Sequence, residues 1–320
     1  MNFEDPMAKQ PRISVLLDRA ARQPEPALAR AVFLAKQTNA GLELLVSDRD
    51  PASAYPDTRV SGAEITPLQR TIVSLNQLAD DLAQDGLSVL TDALNEPHPY
   101  RSIMQKVAKT RPDMVIKTTR HDTAIHRTFF NYTDWHLIRH CPCPLMLAKK
   151  EDDWETRRVV ACVDPAHIHS KAETLDNAII EASQLLACRL RGELHILHSI
   201  ELLPESATPQ EDDGSSYGEY KGRVYGEHQT LLDELLRPYG VGSQKVHMVA
   251  GNPAKTIVPL VEEIGASVVV MGAVSKGTLE TLFIGNTAEK VLDDLSCDVL
   301  VVKSKPVEVR ITELAGYALA

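Results

Sequence analysis

The 320-residue chain has no apolar run long enough to cross a bilayer; its longest, near Val268–Met271, falls far short of the roughly 20 residues a spanning helix needs. The opening MNFEDPMAKQ holds no apolar core of the kind a secretory leader carries, so a cytoplasmic location without membrane association is expected. Five cysteines, Cys141, Cys143, Cys162, Cys188 and Cys297, are an odd number without a regular framework, which speaks for a reducing compartment and against disulfides. No block of five or more like charges occurs, and 44 acidic against 34 basic residues leave a net charge of −10, which argues against a nucleic-acid partner. The G-x-S-x-G elbow, the G-x4-G-K-[ST] phosphate loop and the H-E-x-x-H helix are also missing, so no catalytic residue is assigned and the chain is not expected to be an enzyme.

Two clusters resemble sites without the spacing of one. His136, His140, Cys141 and Cys143 offer the imidazole and thiolate groups that zinc prefers, but Cys-Pro-Cys-Pro lacks the usual gap of two to four residues and no second ligand pair follows. A tight turn feeding a buried strand is the plainer reading, and no metal is expected. His121, Asp122 and His126 read as solvated loop residues, as do His167 and His169, although these last two would flank a site at the end of a nearby strand.

What the chain does have is 43% hydrophobic residues, a length that favours about two domains, and an internal repeat. RISVLLD (Arg12–Asp18) returns as RVVACVD (Arg158–Asp164), 146 residues on, and CPLMLAK (Cys143–Lys149) returns as CDVLVVK (Cys297–Lys303), 154 residues on. Eight extra residues therefore lie inside the second copy, expected in the loop-like stretch Pro204–Gly222. Short β-branched runs such as Val159–Val163 alternate with segments of helical apolar spacing such as Thr174–Leu190, giving five strands and four helices per copy. Strict alternation predicts an α/β fold: two tandem doubly wound domains, each a parallel sheet covered on both faces. The boundaries fall at 10–150 and 157–305, joined by the charged KKEDDWETR (Lys149–Arg157) and followed by a tail, 306–320.

RVVACVD, LHILHSI, VAGNPAKTIVPLVEEIGASVVVMGAV and GNTAEKVLDDLSCDVLVVK together resemble the universal stress protein family in its tandem two-domain, E-like form, and the resemblance covers nearly the whole chain. It implies an adenine nucleotide α-hydrolase-like fold with strand order 3-2-1-4-5 in each copy, pairing of the two domains within one chain through their fifth strands, and a role in resistance to stresses such as starvation, oxidation or DNA damage. Association of two chains is a further option.

Nucleotide-binding members carry G-x2-G-x9-G-[S/T] after the fourth strand, where glycines admit phosphate oxygens to the backbone and a helix N-terminus supplies N–H donors. Here the pattern runs Gly272, Ser275, Gly285, Asn286: the spacing is kept, but serine replaces the second glycine and asparagine the final Ser/Thr, with Thr287 following. A serine Cβ crowds an approaching phosphate, whereas Asn286 can cap a helix or touch a phosphate and Lys276 can supply a cation. By the same resemblance Cys162, Asp164, Ser199 and Met271 complete the candidate nucleotide-binding set, with ATP or AMP, with magnesium, as the ligand. The alternative is that Gly272 and Gly285 only shape a tight loop.

In the first copy the motif positions read Thr118, His121, Asn131 and Tyr132. No glycine remains there, and Phe129, Phe130, Tyr132 and Trp135 occupy the loop, either as packing or as the lining of a surface for an apolar or amphipathic ligand or a partner protein. Two functions stay open: a ligand-responsive stress regulator with a regulatory protein partner, and an interaction scaffold whose two sites are vestigial. Slow ATP hydrolysis using Asp164 and a divalent metal is a distant third.

Overall fold

The computed structural model describes residues 10–17, 25–47, 67–94, 99–122, 127–149, 154–166, 173–207, 216–242, 245–273 and 286–303. They group into two compact units, 10–120 with 130–149, and 121–129 with 154–303.

The first unit is a five-stranded parallel sheet. β1 (Arg12–Leu17) lies between β2 (Gly41–Ser47) and β4 (Met114–Thr118); β3 (Val89–Leu94) pairs outside β2, and β7 (Leu145–Ala148) outside β4. In the numbering of the copy this is the expected order 3-2-1-4-5. Ile13, Val15, Leu16, Leu42, Leu44, Val115 and Ile116 are all buried, as strands covered on both faces require. The covering helices are α1 (Pro26–Thr38), α2 (Pro67–Gln84), α3 (Pro99–Thr110) and α4 (Tyr132–His140). α1 starts on a proline, whose fixed φ suits a first turn, and stops at Asn39 in the left-handed region (φ 54°). Between β4 and α4 the sequence pattern shows no strand, yet a short hairpin forms there from β5 (Arg120–Asp122) and β6 (Arg127–Phe129).

The second unit repeats the plan. β8 (Arg158–Val163) lies between β9 (Glu193–Ile200) and β11 (Val268–Gly272), with β10 (Val246–Ala250) outside β9 and β12 (Asp298–Val302) outside β11, all parallel. Its helices are α5 (Glu173–Leu190), α6 (Tyr217–Leu236), α7 (Pro253–Ile264) and α8 (Asn286–Asp294). Trp154, just ahead of β8, is buried and donates its indole N–H to the buried Asp298 carboxylate at 2.7 Å, so the segment leading into β8 is already part of this unit's core.

Two sequence expectations need correcting. Strand register pairs Arg12 with Gly41 but Arg158 with Glu193, a separation of 29 residues against 35, so most of the eight extra residues lie between the first two strands of the second copy and not in Pro204–Gly222. Nor is the end of that stretch a loop, because α6 begins at Tyr217. A capping box starts it: Ser216 Oγ accepts the Glu219 N–H while the Glu219 carboxylate accepts the Ser216 N–H. Among the described residues no helix is long and apolar enough to cross a membrane.

Candidate functional site

In each unit the connections leave the first and fourth strands in opposite directions along the sheet. The crevice beyond the carboxyl ends of that strand pair is where an open parallel sheet receives a ligand. In the second unit the pair is β8 and β11, in register through Ala161 and Val270.

Asp164 follows β8 directly; it is half-buried, and its N–H donates to Asp176 Oδ1 of α5 at 3.0 Å. Met271 and Gly272 close β11, and Met271 is buried. A Cβ built on Gly272 would lie 2.6 Å from Leu175 Cδ2, so α5 can rest on the end of β11 because that position carries no side chain. Packing alone thus accounts for this glycine.

Cys162 sits on β8, where burial, with Cys297 nearby, pushes its thiol up to about 12. Ser199, on β9, donates its hydroxyl to the Gly251 carbonyl at 2.8 Å and lies 2.8 Å from Thr256 Oγ1, pinning the turn between β10 and α7. Asn286 and Thr287 are the first two residues of α8. Ser275, Lys276 and Gly285 lie outside the described residues, as do His167 and His169.

Beside Asp164 stands a feature the sequence reading missed. His198 of β9 is 1% exposed; its Nδ1 lies 3.1 Å from the Val163 carbonyl and its Nε2 2.7 Å from Nδ1 of the buried His228 on α6. A carbonyl can only accept, so His198 Nδ1 carries the proton and Nε2 receives one from His228. Burial holds the His198 ring below the ordinary histidine value of 6.5, and His228 acts in the same direction, against the Val163 carbonyl and Asp164. The spacing H-S-I at a strand end gives no sign of this pair, because its partner lies 30 residues away on a helix.

A second histidine pair lies further down the same sheet. His195 Nδ1 is 3.1 Å from His247 Nε2, and His195 Nε2 is 3.6 Å from the Glu193 carboxylate, which also meets Lys245 at 3.3 Å. Burial lowers both rings; His247 lowers His195 further while Glu193 opposes, and Glu263 opposes at His247. Among the described residues no group of three or more His, Cys, Asp or Glu comes together as a metal would require.

The first unit closes its equivalent crevice from within. At the N-terminus of α4, Asn131 Oδ1 accepts the Asp134 N–H and Asp134 Oδ2 accepts the Asn131 N–H, both at 2.9 Å. The remaining Asp134 oxygen meets Lys117 Nζ of β4 at 2.6 Å, in a residue 1% exposed. Thr118, in the position of Gly272, accepts the Ala27 N–H at 3.0 Å and reaches the Glu25 carboxylate at 3.3 Å, tying β4 to the first turn of α1. A carboxylate and a lysine of the chain itself thus meet at the start of α4, where the helix dipole favours negative charge.

The aromatic residues of the first copy divide. Phe130 packs on Trp135 at 4.9 Å between ring centres, with Lys149 over the Phe130 ring and Arg139 over the Trp135 ring. Tyr132 is 67% exposed and joins His136 and Tyr100 in a stack whose Tyr100–His136 centres are 4.3 Å apart. The side chain of Phe129 lies outside the described residues.

The sequence profile of the universal stress protein family matches residues 11–149 and 155–303, one match per copy. Universal stress protein E of Escherichia coli K12 is 26% identical over 305 residues, covering 93% of this chain and 95% of its own, and that of Photorhabdus laumondii is 25% identical over 304 residues, covering 93% and 96%. A solved Pseudomonas aeruginosa UCBPP-PA14 chain, itself assigned to the universal stress proteins, superposes with a TM-score of 0.72 at 25% identity, covering 95% of this chain and 96% of the other.

Proposed function

From the premise that the chain belongs to the universal stress protein family, in the tandem form of stress protein E, we propose that it is a cytoplasmic regulator whose second unit receives an adenine nucleotide and whose first unit does not. Members of this family are generally non-enzymatic regulators. The observation that carries the proposal is the unequal treatment of the two helix starts. Asn131, Asp134 and Lys117 close the α4 end, whereas the residues 154 positions on are Gly285, Ala288 and Met271, none of which carries a charge. The amides at the start of α8, with Glu289 as the acidic residue of its first turn, are the ones offered to an incoming phosphate, with Lys276 as cation, and Asp164 and the His198–His228 pair form the adjoining wall. Bound ATP or AMP, with magnesium, would bridge α8 and the end of β8, and its effect would pass to a protein partner as a shift between two shapes of the second unit.

Calorimetric titration of magnesium ATP into the full chain, beside a Gly285→Trp variant, tests this. Micromolar binding abolished by the variant supports a nucleotide sensor; absence of binding by the unaltered chain favours a scaffold. One observation favours that second reading: the exposed Tyr132, backed by the half-buried His136 and Tyr100, offers an aromatic surface to a protein or an amphipathic ligand.

A further inference from the structure

The turn between α4 and β7 reads Cys141-Pro142-Cys143-Pro144, and it brings two sulfurs to 3.7 Å. Cys141 is the C-cap of α4 and fully buried, while Cys143 is half-buried. Both belong to a bend and to no strand or α-helix interior; the nearest ladder bond beyond them joins the Val115 N–H to the Pro144 carbonyl. Closing the pair to a bond requires the sulfurs to approach by about 1.7 Å. The other cysteines are differently placed: Cys162 is held as a thiol by burial, and Cys188 is exposed on the outer face of α5.

We propose that Cys141 and Cys143 form a reversible two-electron redox site that hydrogen peroxide oxidises to an intramolecular disulfide. The Cys143 thiolate attacks the outer oxygen of the peroxide; the O–O bond breaks, hydroxide leaves and takes up the thiol proton as water, and Cys143 becomes a sulfenic acid. Cys141 then attacks the Cys143 sulfur; the S–O bond breaks and the hydroxyl departs with the Cys141 proton as a second water. Two thiols lose one electron pair in total and the peroxide gains it. A bridge between positions two apart closes so small a loop that it adds little to stability, which marks the site as a switchable bond and not a staple. A neighbouring thiol at 3.7 Å also traps the sulfenic acid before further oxidation.

The test uses the full reduced chain and hydrogen peroxide. Trypsin releases His140–Lys149, a peptide that holds both cysteines of the pair and no other. After oxidation, quenching and alkylation this peptide is expected to take up no label and to be lighter by about 2 Da than its reduced, unlabelled form, and dithiothreitol restores two labels. Cys188, measured in the same digest, serves as the exposed single-thiol reference. Cys143→Ser and Cys143→Ala are each expected to abolish the mass loss while leaving the circular dichroism and melting of the reduced chain unchanged. The proposal is overturned if His140–Lys149 still takes up two labels at peroxide levels that oxidise Cys188. It is equally overturned if label is lost only to sulfinic or sulfonic acid or to disulfides between chains, or if the free peptide forms the bridge as fast as the folded protein.

Discussion

The two copies fold alike and treat the same position oppositely. In the first, Lys117 and Asp134 join β4 to α4 by a buried ion pair, with Asn131 completing a capping box; in the second, the corresponding residues are Met271, Ala288 and Gly285. At the start of α4 the chain sets a carboxylate of its own against a lysine, and at the aligned positions of the second copy no charged residue stands. The difference teaches that one position in a repeat can be given to a buried ion pair in one copy and left uncharged in the other, and the pair then becomes part of the first unit's stability.

The largest expected effect follows from that. Asp134→Ala strands the Lys117 ammonium and removes the box, and urea unfolding of the first unit should show a loss of about 3 kcal/mol. The double change Lys117→Met with Asp134→Ala, borrowed from the second copy, should recover most of it; failure to recover would mean that the carboxylate works chiefly through the α4 cap. Next comes the exchange at the end of the fourth strand. Gly272→Ala drives a methyl into Leu175 and should lower the second unit's stability by about 2 kcal/mol, with Leu175→Ala relieving part of the strain in that background. The converse, Thr118→Gly, removes the acceptor of the Ala27 N–H and should lower the first unit by about 1 kcal/mol.

Acid should separate the units further. Burial lowers His195, His198 and His247 in the second unit and His136 in the first. A depressed histidine holds fewer protons folded than unfolded, so its contribution is fully present above 6.5 and is lost as pH falls below that value. Denaturation midpoints at pH 7.5 and pH 5 should therefore drop more for the second unit, and His198→Val, the residue type the first copy has at Val46, should shrink the difference. The smallest effect concerns a helix start: Ser216→Ala removes one side of the α6 box and should lower the second unit by up to about 1 kcal/mol, leaving the first untouched.

The strands and most helices were legible because a doubly buried parallel strand announces itself as a β-branched run and each helix by its apolar stripe, as in Arg158–Val163 and Pro253–Ile264. The start of α6 was missed: its Ser216-x-x-Glu219 signal lies among glycine and tyrosine in a stretch that reads as loop. The bonds that decide the two crevices were not legible. Lys117 with Asp134, and His198 with His228, are pairs whose meaning depends on which strand end faces which helix, and a periodic pattern carries no such information. The role of Gly272 was half visible: the sequence marks a place where bulk is forbidden without saying whether a ligand or Leu175 forbids it.

The ring proton on His198 Nδ1 is directed at the Val163 carbonyl in a residue 1% exposed. Such a proton exchanges on the timescale of local opening and resonates far downfield of the amides, so it is a built-in NMR reporter. Its line would broaden whenever the core beside Asp164 breathes and sharpen whenever something bound there holds it still.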